Sequence, residues 1–221
     1  MQTANLAERY HRVKASLPPH VVLVAVSKTR SVEEIRALYA LGHRDFGENY
    51  VQELRTKQPL LPPDIRWHFI GHLQRSNVKH IAPFIHLVHG VDGTALLDEL
   101  EKRAASASRT IDALVQVHIA HEETKHGLSP EEAEALVLGS GNSRWPHVRL
   151  RGLMGMATNT ADTAQVATEF AGLAALFNRL RSTQPEGFDT LSMGMSGDAP
   201  LAIANGSTMV RIGTSIFGQR S

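Results

Sequence analysis

Eight short apolar runs alternate with longer amphipathic segments along this chain, and this alternation constrains its fold most. It predicts parallel strands joined by crossover helices. Eight repeats favour a single (β/α)8 barrel domain over residues 1–221, although an open doubly wound sheet alternates similarly. In both folds, ligands bind at the carboxyl ends of the strands. The predicted strands cover residues 21–26, 44–46, 67–70, 85–88, 113–117, 148–153, 190–192 and 209–212.

Two helix starts carry clear capping signals. Ser31 and Glu34 have the spacing of a capping box, and Ser129 and Glu132 repeat it with Pro130 at the first helical position. A later segment has apolar residues spaced four, three, four and three apart, which predicts one buried helical stripe. The stripe consists of Val166, Phe170, Leu173, Phe177 and Leu180.

Composition excludes several classes of protein. The net charge is +1 without a long basic run, so we expect no nucleic-acid partner. Hydrophobic residues make up 42% of the chain, as in ordinary globular proteins, and we expect no membrane partner. There are no cysteines, and residues 1–17 lack the apolar core of a signal peptide. We therefore expect a cytoplasmic protein, and we expect it to be a monomer.

Lys28 is the first candidate for chemistry, because it follows the apolar run 21–26 at the carboxyl end of the predicted first strand. Desolvation disfavours the charged form of a lysine there and makes the neutral amine available to an aldehyde or ketone. The position of Lys28 alone is also consistent with an ordinary surface lysine just past a strand.

Small residues follow the last two predicted strands, at 192–198 and 213–215. Glycines allow a backbone to approach a ligand, and free amides at a helix start bind anions. The loops after strands seven and eight are a frequent phosphate site in barrels. Together with Lys28 they indicate a phosphorylated carbonyl compound. Pyridoxal 5′-phosphate (PLP) has both the aldehyde that Lys28 would bind and the phosphate that these loops would bind. A Schiff-base aldolase acting on a phosphorylated sugar remains the alternative.

Five ordered motifs then point to a family. They are VAVSKT at 24–29, GENYVQE at 47–53, WHFIGHLQ at 67–74, LSMGMS at 191–196 and GSTMVRIGTSIFG at 206–218. With them the chain resembles the pyridoxal phosphate homeostasis protein family from about Leu6 onward. The sequence departs from the family pattern at Gln74-Arg75-Ser76-Asn77, where the family usually has Gln-x-Asn-Lys.

The resemblance implies a barrel of the alanine racemase N-terminal type, which carries PLP as an internal aldimine on Lys28. It also implies that Arg211 faces the pyridine nitrogen, that Asn49 lies near the ring, and that Ser192, Gly213 and Thr214 lie at the phosphate. A permanent cation beside the ring nitrogen disfavours its protonation and makes the cofactor a weaker electron sink.

The implied function is PLP and amino-acid homeostasis without established turnover, with apo-PLP enzymes as acceptors of the cofactor. A PLP-dependent amino-acid racemase is the alternative. Racemases take a second base from a carboxyl-terminal domain, and this sequence ends at Ser221. Tyr50 is the tyrosine nearest the predicted mouth, where we interpret it as a helix-packing residue.

The 12 histidines raise the question of a metal site. His68 with His72, and His118 with His121, have spacings at which two imidazoles can meet, and His126 follows closely. A zinc site usually needs a third ligand, and the HExxH pattern is absent from the sequence. We expect no metal.

Overall fold

The polypeptide closes into a barrel of eight parallel strands that pair in chain order, β1 with β2 through to β8 with β1. This computed structural model describes residues 2–122, 125–139, 144–184 and 186–219. The barrel confirms one of the two predicted folds. The strands are β1 Val22–Val26, β2 Asp45–Glu48, β3 Arg66–Phe69, β4 Leu87–Val91, β5 Ile111–Val117, β6 Val148–Gly155, β7 Thr190–Ser192 and β8 Met209–Ile212.

Helices cover the outside of the barrel. Both predicted capping boxes are present, at Ser31 before α2 and at Ser129 before α6, where each serine hydroxyl accepts from the third helical amide. The helices are α1 Gln2–Ala15, α2 Val32–Ala40, α3 Val51–Lys57, α4 Arg75–Ile81, α5 Thr94–Ser106, α6 Pro130–Leu138, α7 Thr163–Arg181, α8 Ala199–Ala204 and α9 Thr214–Phe217, with a 3₁₀ turn at Gln58–Leu60. None of the helices within the described residues is long and apolar enough to cross a membrane.

The predicted strands differ from the observed ones mainly at β4. Sequence placed it at 85–88, whereas β4 runs from Leu87 to Val91 and includes His89 and Gly90. Ile85 is fully buried before the strand begins, so the apolar run marks burial and not strand position. The ranges 190–192 and 209–212 are confirmed as β7 and β8.

Apolar packing forms two layers. The larger lies between strands and helices and includes the predicted stripe of α7, whose five residues are all buried. Burying each such side chain contributes about 1.5–3 kcal/mol. A smaller cluster fills part of the barrel and consists of Val24, Leu87, Leu114, Met154 and Met209. Buried polar side chains, among them His68, His89 and Arg211, lie in the barrel strands as well.

His43 ties α1 to the start of β2. Its Nε2 lies 2.8 Å from the Asp45 carbonyl oxygen, to which it donates, and its Nδ1 lies 3.4 Å from the Tyr10 hydroxyl. The side chain is buried, and burial lowers the pKa of His43 to about 4, although the bond to Asp45 opposes the shift. The folded protein therefore holds this imidazole neutral.

We expect the free energy of unfolding to fall as the pH drops from about 6.5 to about 4. In this window the unfolded chain protonates His43 and the folded chain does not, so acid favours unfolding. One such group accounts for on the order of 3 kcal/mol across the window. Urea unfolding of His43→Gln at several pH values should give a flatter profile than the unsubstituted protein.

His20→Gln is the matched control, because His20 is exposed in the loop before β1. Its profile should coincide with that of the unsubstituted protein. A His43→Gln profile as steep as the control's would show that this imidazole is not held neutral by the fold.

Candidate functional site

Lys28 stands two residues beyond β1, at the carboxyl end of the barrel, and is half-buried. The next residue, Thr29, has a φ of 63°, in the left-handed region that β-branched residues rarely adopt. The Thr29 amide donates to Glu53 Oε2 at 2.8 Å. This bond from α3 holds the turn, and strained backbone of this kind concentrates at functional sites.

A buried ionic cluster fixes the backbone just before Lys28. The Lys57 ammonium donates to the Ser27 carbonyl at 2.9 Å, to Glu48 Oε1 at 2.8 Å and to Glu53 Oε2 at 2.6 Å. The Ser27 hydroxyl donates to the same Glu48 oxygen at 2.7 Å. Burial raises the pKa of Glu48, and Lys57 opposes that shift. Because Lys57 uses all three of its N–H groups, its nitrogen has no lone pair for a carbonyl.

Arg211 places a buried cation on the strand next to β1. In the register of β1 and β8 it pairs with Val24, which belongs to the interior cluster. The guanidinium donates to the Ser192 carbonyl at 2.9 Å, to Ser192 Oγ at 2.5 Å and to the Gly155 carbonyl at 3.0 Å. Burial lowers the pKa of Arg211 to about 10, so it remains a cation at neutral pH.

A chain of hydrogen bonds continues from Arg211 through the barrel interior. Ser192 Oγ lies 3.1 Å from His89 Nδ1, His89 Nε2 lies 3.0 Å from His68 Nδ1, and His68 Nε2 lies 3.1 Å from Asp45 Oδ1. We call Arg211, Ser192, His89, His68 and Asp45 the interior relay. It runs from near the carboxyl end of β8 to the first residue of β2.

The donor and acceptor of each hydrogen bond in the relay can be assigned from Arg211 at one end and Asp45 at the other. Burial lowers the pKa of His89 well below its usual value, so His89 is neutral. The Ser192 oxygen accepts from Arg211, so the Ser192 hydroxyl donates to His89 Nδ1, and the single ring proton of neutral His89 is on Nε2. His89 then donates to His68. His68 in turn donates to the carboxylate of Asp45.

Asp45 ends the relay as an anion. Burial raises the pKa of Asp45, but hydrogen bonds from Arg66 and His68 outweigh it and hold the pKa well below its usual range. Arg66 Nε lies 2.7 Å from Asp45 Oδ1. Sequence analysis missed this chain. The polar residues inside the runs of β3 and β4 were the available signal, since a buried histidine in a strand needs a partner.

Asn49 and the turn at Gly213 complete the mouth. Asn49 follows β2 directly, and its Oδ1 is buried without a hydrogen-bond partner among the residues that the structure describes. An unpaired buried acceptor of this kind indicates a missing donor. Gly213 follows β8 and opens α9, and a Cβ there would lie 3.3 Å from the Val26 side chain. The turn therefore packs tightly beside β1.

The structure brings the six predicted site residues onto one arc of the barrel, formed by β7, β8, β1 and β2. Lys28, Asn49 and Thr214 follow their strands, and Gly213 joins β8 to α9. Ser192 is fully buried, with its hydroxyl on Arg211 and His89. The interpretation of Tyr50 as a packing residue is wrong, because Tyr50 is 54% exposed at the start of α3.

The two histidine pairs that the sequence spacing allowed do not form. His68 is buried in the interior relay, whereas His72 lies at the rim beside Asp92, 3.2 Å from its carboxylate. His118 lies 3.0 Å from the Glu122 carbonyl oxygen, and His121 lies 3.9 Å from Glu169. Each of these four side chains therefore has its own partner, because the fold separates residues that are close in sequence.

Comparison with known proteins agrees with this architecture. The family model described as alanine racemase, N-terminal domain, matches residues 1–221. The pyridoxal phosphate homeostasis protein of Vibrio alginolyticus is 43% identical over 218 residues, which cover 96% of this chain and 92% of that protein. The protein of that name from Escherichia coli (strain K12) is 35% identical over 226 residues, covering 98% and 95%.

Solved structures show the same barrel. PipY of Synechococcus elongatus PCC7942 without PLP has a TM-score of 0.90 at 36% identity, and PipY with PLP bound has 0.86 at 35%. Both alignments cover 96% of this chain and 100% of the PipY chain. Alanine racemase from Bartonella henselae, at 16% identity and a TM-score of 0.74, shares the fold. The chain thus belongs to the pyridoxal phosphate homeostasis protein family, whose barrel is that of the alanine racemase N-terminal domain.

Proposed function

We propose that this protein binds PLP covalently at Lys28 and serves intracellular PLP and amino-acid homeostasis. The relatives named above carry that role in their names, and PipY has been solved with PLP bound. One observation carries the proposal for this chain. A buried guanidinium on β8 lies next to β1, the strand that Lys28 follows, and the Gly213 turn from β8 to α9 packs against Val26 of β1.

The residues present suit each part of this cofactor. PLP would supply an aldehyde, and the Lys28 amine, once unprotonated, would form a carbon–nitrogen double bond with the aldehyde carbon, with loss of water. Arg211 offers a fixed N–H donor and a positive charge to the pyridine nitrogen. The unpaired Asn49 Oδ1 accepts a hydrogen bond at the ring.

In this proposal the turn after β8 binds the phosphate of PLP. The amides of Gly213, Thr214 and Ser215 stand at the first turn of α9, where backbone N–H groups lack intrahelical acceptors. The hydroxyl of Thr214 adds a donor. Ser192 supports the guanidinium in this proposal, because its hydroxyl is already bonded to Arg211 and His89.

We propose that the protein holds PLP and delivers it, without turnover of its own, to apo-PLP enzymes in the cytoplasm. A cation at the ring nitrogen weakens the cofactor as an electron sink, which argues against strong carbanion chemistry. Tyr50 and Met195, 54% and 40% exposed beside the ends of β2 and β7, offer apolar contacts for an acceptor. Incubation with single amino-acid enantiomers tests the absence of turnover. Racemisation that depends on Lys28 would favour the racemase alternative.

Substituting Lys28 should abolish covalent binding. PLP added to the unsubstituted protein should give a visible absorbance band that borohydride removes, and Lys28→Ala should give the spectrum of free PLP. Lys79→Ala is the matched control, because Lys79 is exposed on α4, and it should keep the band. A band that persists in Lys28→Ala would refute the assignment of Lys28.

Removing the Ser192 hydroxyl should weaken PLP binding. Ser192→Ala takes one acceptor from Arg211 and one donor from His89, so the guanidinium is less firmly oriented. We expect the dissociation constant for PLP to rise roughly tenfold, about 1.4 kcal/mol, in an absorbance titration.

Ser207→Ala controls for the loss of a buried hydroxyl. Ser207 is equally buried, and its hydroxyl donates to main-chain carbonyls, with Met193 the nearest at 2.7 Å. This variant should lose stability and keep its affinity for PLP. Equal losses of affinity in the two variants would mean that Ser192 acts through general stability and not through Arg211.

A further inference from the structure

Three potential metal ligands meet at the rim of the barrel, away from the arc that holds Lys28 and Arg211. His72 follows β3, Asp92 follows β4, and His126 lies in the loop after β5. Their ligand atoms, one from each side chain, all lie within 4.8 Å of one another. His72 Nδ1 is 3.2 Å from Asp92 Oδ2. Three loops that are distant in sequence therefore present two imidazoles and a carboxylate to one point.

The backbone that carries the two histidines is tightly placed. Gly71 precedes His72, and a Cβ at Gly71 would come within 2.5 Å of the Asn49 carbonyl oxygen. Gly127 follows His126 with a φ of 136°, and a Cβ there would meet the His118 amide nitrogen at 2.7 Å. Both loops thus pack closely against their neighbouring backbone, which limits the positions open to either ring.

A buried side chain holds His126 from below. Gln116, on β5 inside the fold, donates from Nε2 to the His126 carbonyl at 2.8 Å. This bond fixes the main chain at His126, which limits the loop positions from which its exposed ring can reach His72 and Asp92.

The two imidazole rings of the cluster also contact each other. The rings of His72 and His126 stack with centroids 4.2 Å apart and planes 18° apart. This stacking keeps the two side chains side by side, with their ligand atoms within 4.8 Å of each other. The neighbouring histidines 118 and 121 are directed to other partners, at the Glu122 carbonyl and at Glu169.

We propose that His72, Asp92 and His126 bind one divalent transition-metal ion of the zinc class. Two imidazole nitrogens and one carboxylate oxygen are a ligand set that zinc uses with a fourth position left to water or another small ligand. The single carboxylate offsets part of the charge of the ion. This site draws on β3, β4 and β5, so it does not share a side chain with the proposed PLP site.

Cobalt(II) and zinc(II) binding to the full chain, without PLP and without a histidine tag, tests the proposal. We expect one Zn²⁺ per chain in equilibrium dialysis. Co²⁺ at the same site should show the intense visible absorbance of four-coordinate cobalt. PLP is left out because the cofactor itself binds these ions.

His126→Ala and Asp92→Asn should each weaken Zn²⁺ binding at least about tenfold. Loss of a residue that only supports a metal ligand already lowers metal affinity by about that factor. His121→Ala is the matched control, because this side chain is 77% exposed, lies close by in sequence and is outside the cluster. It should leave affinity and spectrum unchanged. Absence of stoichiometric binding, or equal affinity in His126→Ala and His121→Ala, would overturn the proposal.

Discussion

The structure depends on a guanidinium enclosed by a barrel. Arg211 is 4% exposed, and isolating such a charge from water costs several kcal/mol unless its N–H groups are bonded. Here the partners are the carbonyls of Ser192 and Gly155 and the hydroxyl of Ser192, all supplied by neighbouring strand ends. The register that pairs β8 with β1 therefore also sets where the cation stands. The Ser192 hydroxyl in turn donates a hydrogen bond to His89 of the interior relay.

The backbone around Lys28, on the neighbouring strand β1, is held in a different way. Lys28 follows a residue whose carbonyl is held by Lys57 and precedes one whose amide is held by Glu53. Lys57 joins both carboxylates of the cluster, so one buried lysine stabilises the position of the other. The cation is thus fixed on β8 and the amine just after β1, on two strands that pair with each other.

Sequence reasoning could predict what depends on local pattern. The alternation of strands and helices, the capping boxes at Ser31 and Ser129, and the stripe of α7 all follow from rules that act within about twenty residues. The choice of a closed barrel, and the assignment of Arg211 and Asn49 to the site, needed the family resemblance. The interior relay, the Lys57 cluster and the meeting of His72 with His126 join residues from separate strands and loops, which periodicity does not encode.

The central claim is that this barrel attaches PLP through the amine that follows β1. Borohydride reduction of the PLP-loaded protein, followed by proteolysis and tandem mass spectrometry, tests it most directly because it reports the nitrogen that carries the cofactor. The account predicts one pyridoxyl group on the peptide that contains Lys28, with the peptide of Lys57 unmodified. A pyridoxyl group on Lys57, or one distributed over surface lysines with Lys28 unmodified, would contradict it.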